Sequence, residues 1–297
     1  MSAYLVQQII NGLTLGSMYA LIAIGFSMIY GIVRLINFAH GDVVMLGAFS
    51  TLALALFSGL PWPVIALCVL AIGALAGMTI ETLAFRPMRG APQVTGFIAS
   101  LAVSVVIQNL SVLLLTAQPR NFHFPEYMRT RVQVGPATTS VVDILIVGTT
   151  IVLMAGLVLL VKRTKLGMGM RATAENLQTA RLMGINPNRV ILVAFAVGSS
   201  LAAIAGLMWG GKYGQIDPLL GFLPGLKAFV AAVIGGVGSI PGAMLGGYLL
   251  GLAEILFVGL LPPGYSPYRD AFVFGTLIVV LLVLPNGLLG RSSEERA

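Results

Sequence analysis

Charged residues are scarce in this sequence. Asp, Glu, Lys and Arg together make up 9% of the 297 residues, whereas hydrophobic residues make up 58%. A water-soluble domain of this length needs a much larger share of polar residues to cover its surface. The composition therefore excludes an ordinary soluble fold, and a mean hydropathy of +0.97 indicates an integral membrane protein.

Residues that carry chemistry are equally scarce. The single cysteine, Cys68, has no second thiol to pair with, and the two histidines, His40 and His123, lie in no cluster with metal-ligand spacing. No glycine-rich loop ends in Lys-Ser or Lys-Thr, so any ATP must be bound by another chain. No serine lies in a nucleophile-elbow sequence. We therefore expect no metal or cofactor, and a chain that is not an enzyme.

Long apolar runs take the place of these features. A helix that crosses a bilayer needs about 20 mostly apolar residues. Such runs lie near residues 5–31, 43–58, 62–84, 93–117, 140–161, 190–210, 223–238, 242–260 and 271–289. The sequence thus predicts an all-α integral membrane protein, with one transmembrane domain over residues 1–297 and about eight or nine spans. The runs after Asp42 and around 235–242 are short or interrupted by glycine, which favours broken or re-entrant segments.

The basic residues predict an orientation. Cytoplasmic loops are enriched in Lys and Arg, and the longest basic loop covers residues 162–189. If this loop is cytoplasmic, eleven of the seventeen basic residues lie on that side, five lie outside, and Lys227 falls within a span. The N-terminus is then outside and the C-terminus, with Arg291 and Arg296, is in the cytoplasm. The positive net charge therefore reports membrane topology, and no nucleic-acid partner is expected.

Two polar loops are long enough to have roles of their own. The outer loop, 118–139, contains proline, aromatic and charged residues. This composition fits either a docking surface for another protein or an ordinary connector. In the inner loop, Thr173 is a candidate N-cap, 174–183 is free of glycine and proline, and Gly184 can close the helix. Asn186-Pro187 then predicts the start of the next span. A short exposed helix of this kind either docks into a groove of a partner or is a simple surface helix.

Some polar residues and glycines lie at membrane depth. In 37–42 we expect Asp42 to cap a helix and His40 to face water or backbone carbonyls, the alternative being a place in a translocation path. The run 235–242 is suited either to close helix packing or to lining a gate. Glu254 is the acidic residue deepest in an apolar run, where it is either hydrogen-bonded inside the bundle or exposed to a path. The candidate path residues are Asn37, His40, Asp42, Gly235, Gly236, Gly238, Ser239 and Glu254.

Gln178-Thr179-Ala180-Arg181-Leu182-Met183-Gly184 has the spacing of Glu-Ala-Ala-x-x-x-Gly, the loop through which permeases of ABC importers meet their ATPases. Its two leading positions differ from that pattern, as they do in LivH-type permeases of branched-chain amino acid importers. The chain resembles these permeases over nearly its full length. The other similar segments are 37–42, Glu81, 86–90, Gln108-Asn109, 225–229, 235–242 and 285–290.

The resemblance implies a channel-forming subunit in a bacterial inner membrane. Its partners would be a second homologous permease, two cytoplasmic ATPases, a periplasmic or lipid-anchored binding protein and the lipid bilayer. The implied ATPase-coupling residues are Glu175, Gln178, Thr179, Ala180, Arg181 and Gly184. Substrates of such permeases are branched-chain or other apolar amino acids, or alternatively urea or short amides. A self-sufficient secondary transporter remains a further alternative, although it would need more buried ionisable residues than Glu254 and Lys227.

Overall fold

The computed structural model describes residues 2–122 and 124–290, and this part of the chain is mainly helical. Its helices are α1 (Ser2–Val33), α2 (Ala39–Phe57), α3 (Trp62–Ile80), a π-helical turn (Glu81–Phe85), α4 (Gln93–Leu115), α5 (Glu126–Arg129), α6 (Val141–Arg163), α7 (Lys165–Glu175), α8 (Leu177–Leu182), α9 (Pro187–Tyr213), α10 (Phe222–Gly235), α11 (Ile240–Leu260), a 3-10 turn (Pro263–Tyr268) and α12 (Arg269–Val283). Short antiparallel strand pairs join β1 (Arg120–Asn121) to β4 (Gln215–Ile216) and β2 (Arg131–Val134) to β3 (Ala137–Ser140).

Within the described residues, eight helices are long and apolar enough to cross a membrane: α1, α2, α3 with the π-turn, α4, α6, α9, α11, and α12 with the preceding 3-10 turn. The predicted all-α, multi-span fold is therefore confirmed. The predicted run 223–238 is instead a helix of 14 residues, α10, which is too short to cross the bilayer alone. Helices α1, α9 and α2 are the most buried spans, whereas α4 and α12 present mostly exposed apolar side chains.

The two ends of the bundle can be told apart by contacts between segments. Gln7, near the start of α1, accepts a hydrogen bond from the backbone N–H of Thr138 in β3 at 2.9 Å. Tyr4 donates to the carbonyl of Gly259 at the end of α11. These segments define what we call the outer end. The opposite, inner end holds the start of α9 and the turn between α10 and α11, where Gly238 lies against Gly31 of α1.

Two helices begin inside the bundle instead of at its ends. The first turn of α2 places His40 within 3.2 Å of the Ile22 carbonyl, in the interior of the 32-residue helix α1. The first turn of α10 meets the first turn of α2, because Gly221 and Gly225 lie directly against Gly41. From this meeting point α2 runs to the outer end and α10 runs to the inner end.

Helices α1 to α3 and α9 to α11 form two units of similar construction. Helix α1 packs along α11 and α9 packs along α3, while α1 and α9 approach each other closely at Gly25 and Gly198. The counterparts are α1 and α9, α2 and α10, and α3 and α11. The two helices of each pair run in opposite directions, so the arrangement is that of an inverted repeat. The turns that begin α2 and α10 share the spacing Phe-x-x-Gly, in Phe38 to Gly41 and Phe222 to Gly225.

The described part of the outer loop 118–139 forms a layer over the bundle. Pairing of β1 with β4 ties this loop to the end of α9. Phe122 is buried and contacts Phe124 edge to face, and Trp62 packs on both rings. At the start of α6, Ser140 and Asp143 form a reciprocal capping box, which satisfies backbone donors at this helix end. These contacts support the connector interpretation, while Tyr127 remains exposed for contact with another molecule.

Candidate functional site

A cavity of about 850 Å³ lies between α1, α4, α9, α10 and α11, and Arg269 of α12 also lines it. Its apolar lining residues are Trp209, Leu219, Leu220, Phe222, Leu223 and Pro224. Its polar lining residues are Tyr19, Gln108, Tyr213, Gln215, Asp217, Lys227, Glu254 and Arg269. A cavity of this size with apolar walls and a few convergent polar groups is typical of small-molecule sites.

Four polar lining residues, Tyr19, Lys227, Glu254 and Arg269, form a cluster with Asp270, which lies beside the cavity and contacts Lys227 and Arg269; these five residues are here termed the charge cluster. The Lys227 Nζ lies 2.7 Å from Oε1 of Glu254 and 2.7 Å from Oδ1 of Asp270. The Arg269 Nε lies 3.1 Å from the same Glu254 oxygen, and the Tyr19 hydroxyl donates to its Oε2 at 3.0 Å. The cluster thus joins α1, α10, α11 and α12.

The burial of Glu254 explains why the cluster contains two cations. The Glu254 side chain is 1% exposed and that of Lys227 is 4% exposed, and an isolated charge at such a place is strongly unfavourable. Two cations and two carboxylates give the cluster a formal charge of zero. The sequence indicated Glu254 as a membrane acid, but it did not indicate Tyr19 or Arg269 as partners of Glu254, or Asp270 as a partner of Lys227.

The predicted path residues of the segment 37–42 lie beside the cavity and do not line it. His40 faces the Ile22 carbonyl, in agreement with the expectation of a backbone carbonyl partner. The expected capping role of Asp42 is wrong: α2 begins at Ala39, and Phe38 occupies the N-cap without a side-chain hydrogen bond. Asp42 instead accepts a hydrogen bond at 2.9 Å from Gln108, and Gln108 does line the cavity.

Asn37 has an unusual environment. Its side chain is 2% exposed, and neither its Nδ2 nor its Oδ1 has a hydrogen-bond partner within the described chain. Buried amides without partners are costly, by about 1–3 kcal/mol for each group. Asn37 precedes the first turn of α2, at the level where α2 and α10 meet.

The glycine-rich segment forms close backbone contacts at the inner end. Gly235 packs directly on Gly242, and Gly236 has φ of +107° and lies against Gly290. Ser239 caps α11 by accepting a hydrogen bond from the Gly242 N–H at 3.2 Å. The Gly238 N–H donates to Ser27 of α1 at 2.9 Å. These contacts hold α1, α10, α11 and the segment 288–290 together, and they lie away from the cavity.

The inner loop contains two helices where the sequence predicted one. Thr173 is not an N-cap: it is buried inside α7, and its hydroxyl donates to the Gly169 carbonyl at 2.7 Å. The caps are Thr164 for α7 and Asn176 for α8, and Asn176 accepts from the N–H groups of Gln178 and Thr179. The predicted breaks after this region are confirmed: Gly184 has φ of +79°, and Asn186 caps α9 with Pro187 in its first turn.

The predicted coupling residues form an exposed corner between α7 and α9. Glu175, Gln178, Thr179, Arg181 and Gly184 are exposed, and only Ala180 is buried. Leu182 and Met183, at the tip of this corner, are 88% and 77% exposed. Two large apolar side chains in water at the end of a short helix form a surface suited to contact with another protein.

A partly buried link connects the start of α9, next to this corner, to the π-turn after α3. Arg89 forms an ion pair with Glu81 of the π-turn and also donates to Asn188 in the first turn of α9. Partial burial lowers the pKa of the Arg89 guanidinium from its usual value, whereas the neighbouring Glu81 carboxylate acts in the opposite direction. A guanidinium stays protonated in proteins even so. The link therefore gives the inner ends of α3 and α9 a fixed spacing next to the exposed corner.

Comparison with known proteins assigns the chain to a family. The family described as "Branched-chain amino acid transport system / permease component" matches residues 8–282. The chain is 43% identical to the high-affinity branched-chain amino acid transport system permease protein BraD of Pseudomonas aeruginosa, over 98% of this chain and 97% of that protein. It is 40% identical to LivH of Escherichia coli K12, a permease protein of the same description, over 99% and 98%.

The similarity extends to archaea and confirms the resemblance to LivH-type permeases. A probable branched-chain amino acid transport permease protein LivH of Methanocaldococcus jannaschii is 30% identical over 92% of this chain and 89% of that protein. No solved structure matches the chain. Since the relatives are matched along nearly their entire lengths, the chain belongs to the family of permease components of branched-chain amino acid transport systems.

Proposed function

We propose that the chain is the non-catalytic, membrane-spanning subunit of an ATP-driven importer that passes branched-chain amino acids into the cytoplasm of a bacterium. Its relatives are permeases of branched-chain amino acid transport systems. The observation that carries the ATP-driven part is the exposed corner with Leu182 and Met183 at its tip, which lies in the segment that resembles the ATPase-coupling loop of ABC importers.

The proposed assembly contains this chain, a second homologous permease, two cytoplasmic ATPases and a periplasmic or lipid-anchored binding protein. Closure of the ATPases on nucleotide would push on the residues Glu175, Gln178, Thr179, Ala180, Arg181 and Gly184. The link from Arg89 to Glu81 and Asn188 would then transmit this displacement to α3 and α9 together. Rocking of the two helical units against each other would open the cavity to one side at a time.

The proposed orientation places the inner end in the cytoplasm. Among the described residues, nine basic residues lie at the inner end and five at the outer end, which supports this orientation by the positive-inside rule. The C-terminal residues Arg291 and Arg296, which were also expected on the cytoplasmic side, lie outside the described residues. The N-terminus would be outside the cell.

The direct test is uptake by cells that express the chain together with its partner permease, ATPases and binding protein. We expect accumulation of radiolabelled leucine that is lost when the ATPases are omitted or carry a disabled nucleotide site. ATPase-dependent uptake of urea or a short amide without leucine uptake would favour that substrate class instead. Uptake that needs no ATPase would contradict the proposal and favour a secondary transporter.

A further inference from the structure

The charge cluster has a buried part and an exposed part. Tyr19, Lys227 and Glu254 are buried, whereas the Arg269 and Asp270 side chains are 50% and 39% exposed. An ion pair buried in a protein holds its partners tightly, because separation leaves a charge without compensation. Exposed pairs contribute little to stability and can exchange partners. Arg269, which lines the cavity, and Asp270 directly beside it are therefore the members that a ligand in the cavity could engage.

The exposed pair offers a positive and a negative group side by side. The Arg269 Nε lies 3.7 Å from Oδ1 of Asp270. The contacts of Arg269 with Glu254 and Asp270 are made by Nε. The terminal nitrogens of a guanidinium can donate to the two oxygens of a carboxylate. The contacts of Asp270 with Lys227 and Arg269 are made by Oδ1, and its second oxygen can accept a hydrogen bond from an ammonium group.

The cavity also has apolar lining residues. Trp209, Leu219, Leu220, Phe222 and Leu223 line the same cavity as Arg269. A ligand with an ammonium and a carboxylate on one carbon and an aliphatic side chain would meet complementary groups at both ends. Urea and short amides lack the two charges, so they would gain little from Arg269 and Asp270. The cavity thus distinguishes among the substrates considered for this family.

We propose that Arg269 and Asp270 form a transient binding site for the zwitterionic head group of an apolar amino acid inside the permease. This inference rests on the proposed import function. Arg269 would donate to the α-carboxylate and Asp270 would accept from the α-ammonium, while Lys227, Glu254 and Tyr19 hold both residues in position. Because Arg269 and Asp270 are paired with protein groups when the cavity is empty, binding would be weak, which allows the amino acid to leave again.

The test measures binding of radiolabelled leucine to the purified permease–ATPase complex in lipid nanodiscs, without the binding protein. We expect the wild type to bind leucine and Arg269→Gln or Asp270→Asn to weaken binding at least tenfold. Arg129→Gln, at an exposed arginine of the outer loop, serves as the matched control and should bind as the wild type does. Isoleucine should compete, whereas 4-methylpentanoate, which lacks the ammonium, and 3-methylbutylamine, which lacks the carboxylate, should compete poorly.

Two results would overturn the inference. One is a wild-type complex that transports leucine with ATP but binds none in its cavity. The other is a pair of variants, Arg269→Gln and Asp270→Asn, that lower the melting temperature but leave leucine binding per folded complex unchanged. That result would show that both residues only stabilise the structure. Failure of the proposed function would look different: the wild-type complex would bind leucine without ATP-dependent transport.

Discussion

At the scale of single residues, the buried pair of Lys227 and Glu254 carries the strongest energetic constraint. Each side chain is the most buried ion partner of the other at membrane depth, where an uncompensated charge is costly. Lys212 and Asp143 form a second pair that joins α9 to α6 near the outer end, but the Lys212 side chain is 28% exposed. The two pairs have the same chemistry and differ in burial, so they provide a matched comparison.

Lys227→Met should destabilise the protein markedly, because Glu254 keeps its charge and loses its closest cation. Breaking a buried pair from one side costs about 3–5 kcal/mol. The melting temperature of the purified protein in detergent measures this loss. Lys212→Met should cost about 1 kcal/mol or less, as is typical of partly exposed pairs. The double variant Lys227→Met with Glu254→Leu should recover part of the lost stability, and equal melting temperatures for all three variants would refute the assignment.

At the scale of secondary-structure elements, glycines determine how closely the central helices approach. A Cβ atom at Gly47 of α2 would lie 2.2 Å from the Ala203 carbonyl oxygen of α9, whereas a Cβ at Gly156 of α6 would have no neighbour within 4 Å. Contacts as short as the first require the backbones to separate. The starts of α2 and α10 depend on the same kind of contact at Gly41 and Gly225.

Gly47→Ala should therefore destabilise the bundle, by about 1–3 kcal/mol as is usual for overpacked interiors. Gly156→Ala is the control, and it should leave stability unchanged or raise it slightly because alanine favours helix. Thermal unfolding of both variants in the same detergent is the measurement. A Gly47→Ala protein as stable as the wild type would show that α2 and α9 are not packed in this way.

The exposed corner between α7 and α9 gives a prediction about coupling. Gly184 has φ of +79° and open space around its Cα, so Gly184→Val introduces backbone strain without a clash. We expect leucine uptake to fall more than tenfold while the complex still assembles and hydrolyses ATP. Gly148→Val, in an equally open place on α6, should transport normally. Normal uptake by Gly184→Val would remove the corner from the coupling route.

At the scale of the whole molecule, the alternation of apolar runs and basic loops was enough to predict the class, most spans and an orientation. The sequence could not show that α10 begins inside the bundle, since hydropathy reports how apolar a run is and not where it starts. The cap predicted at Asp42 was wrong because α2 already begins at Ala39, and the sequence could not show that the Asp42 carboxylate accepts a hydrogen bond from Gln108, a residue 66 positions away. The partners of Glu254 were missed for the same reason, as they come from α1, α10 and α12.

The orientation itself can be tested with single cysteines in a Cys68→Ala background. Lys165→Cys at the inner end and Arg131→Cys at the outer end both replace exposed residues. A thiol reagent that cannot cross the membrane should label Arg131→Cys in intact cells and Lys165→Cys only after the membrane is opened. The reverse pattern would invert the proposed topology.

We propose that ATP hydrolysis by partner subunits drives an amino acid through this chain. The most direct measurement is leucine accumulation by proteoliposomes that contain the complete complex, with the binding protein on one side, ATP on the side of the ATPases and no proton or sodium gradient. We expect accumulation that requires ATP and stops when the ATPases are omitted. Accumulation without ATP or ATPases, in these proteoliposomes or in matched ones given an ion gradient, would contradict the ATP-driven mechanism.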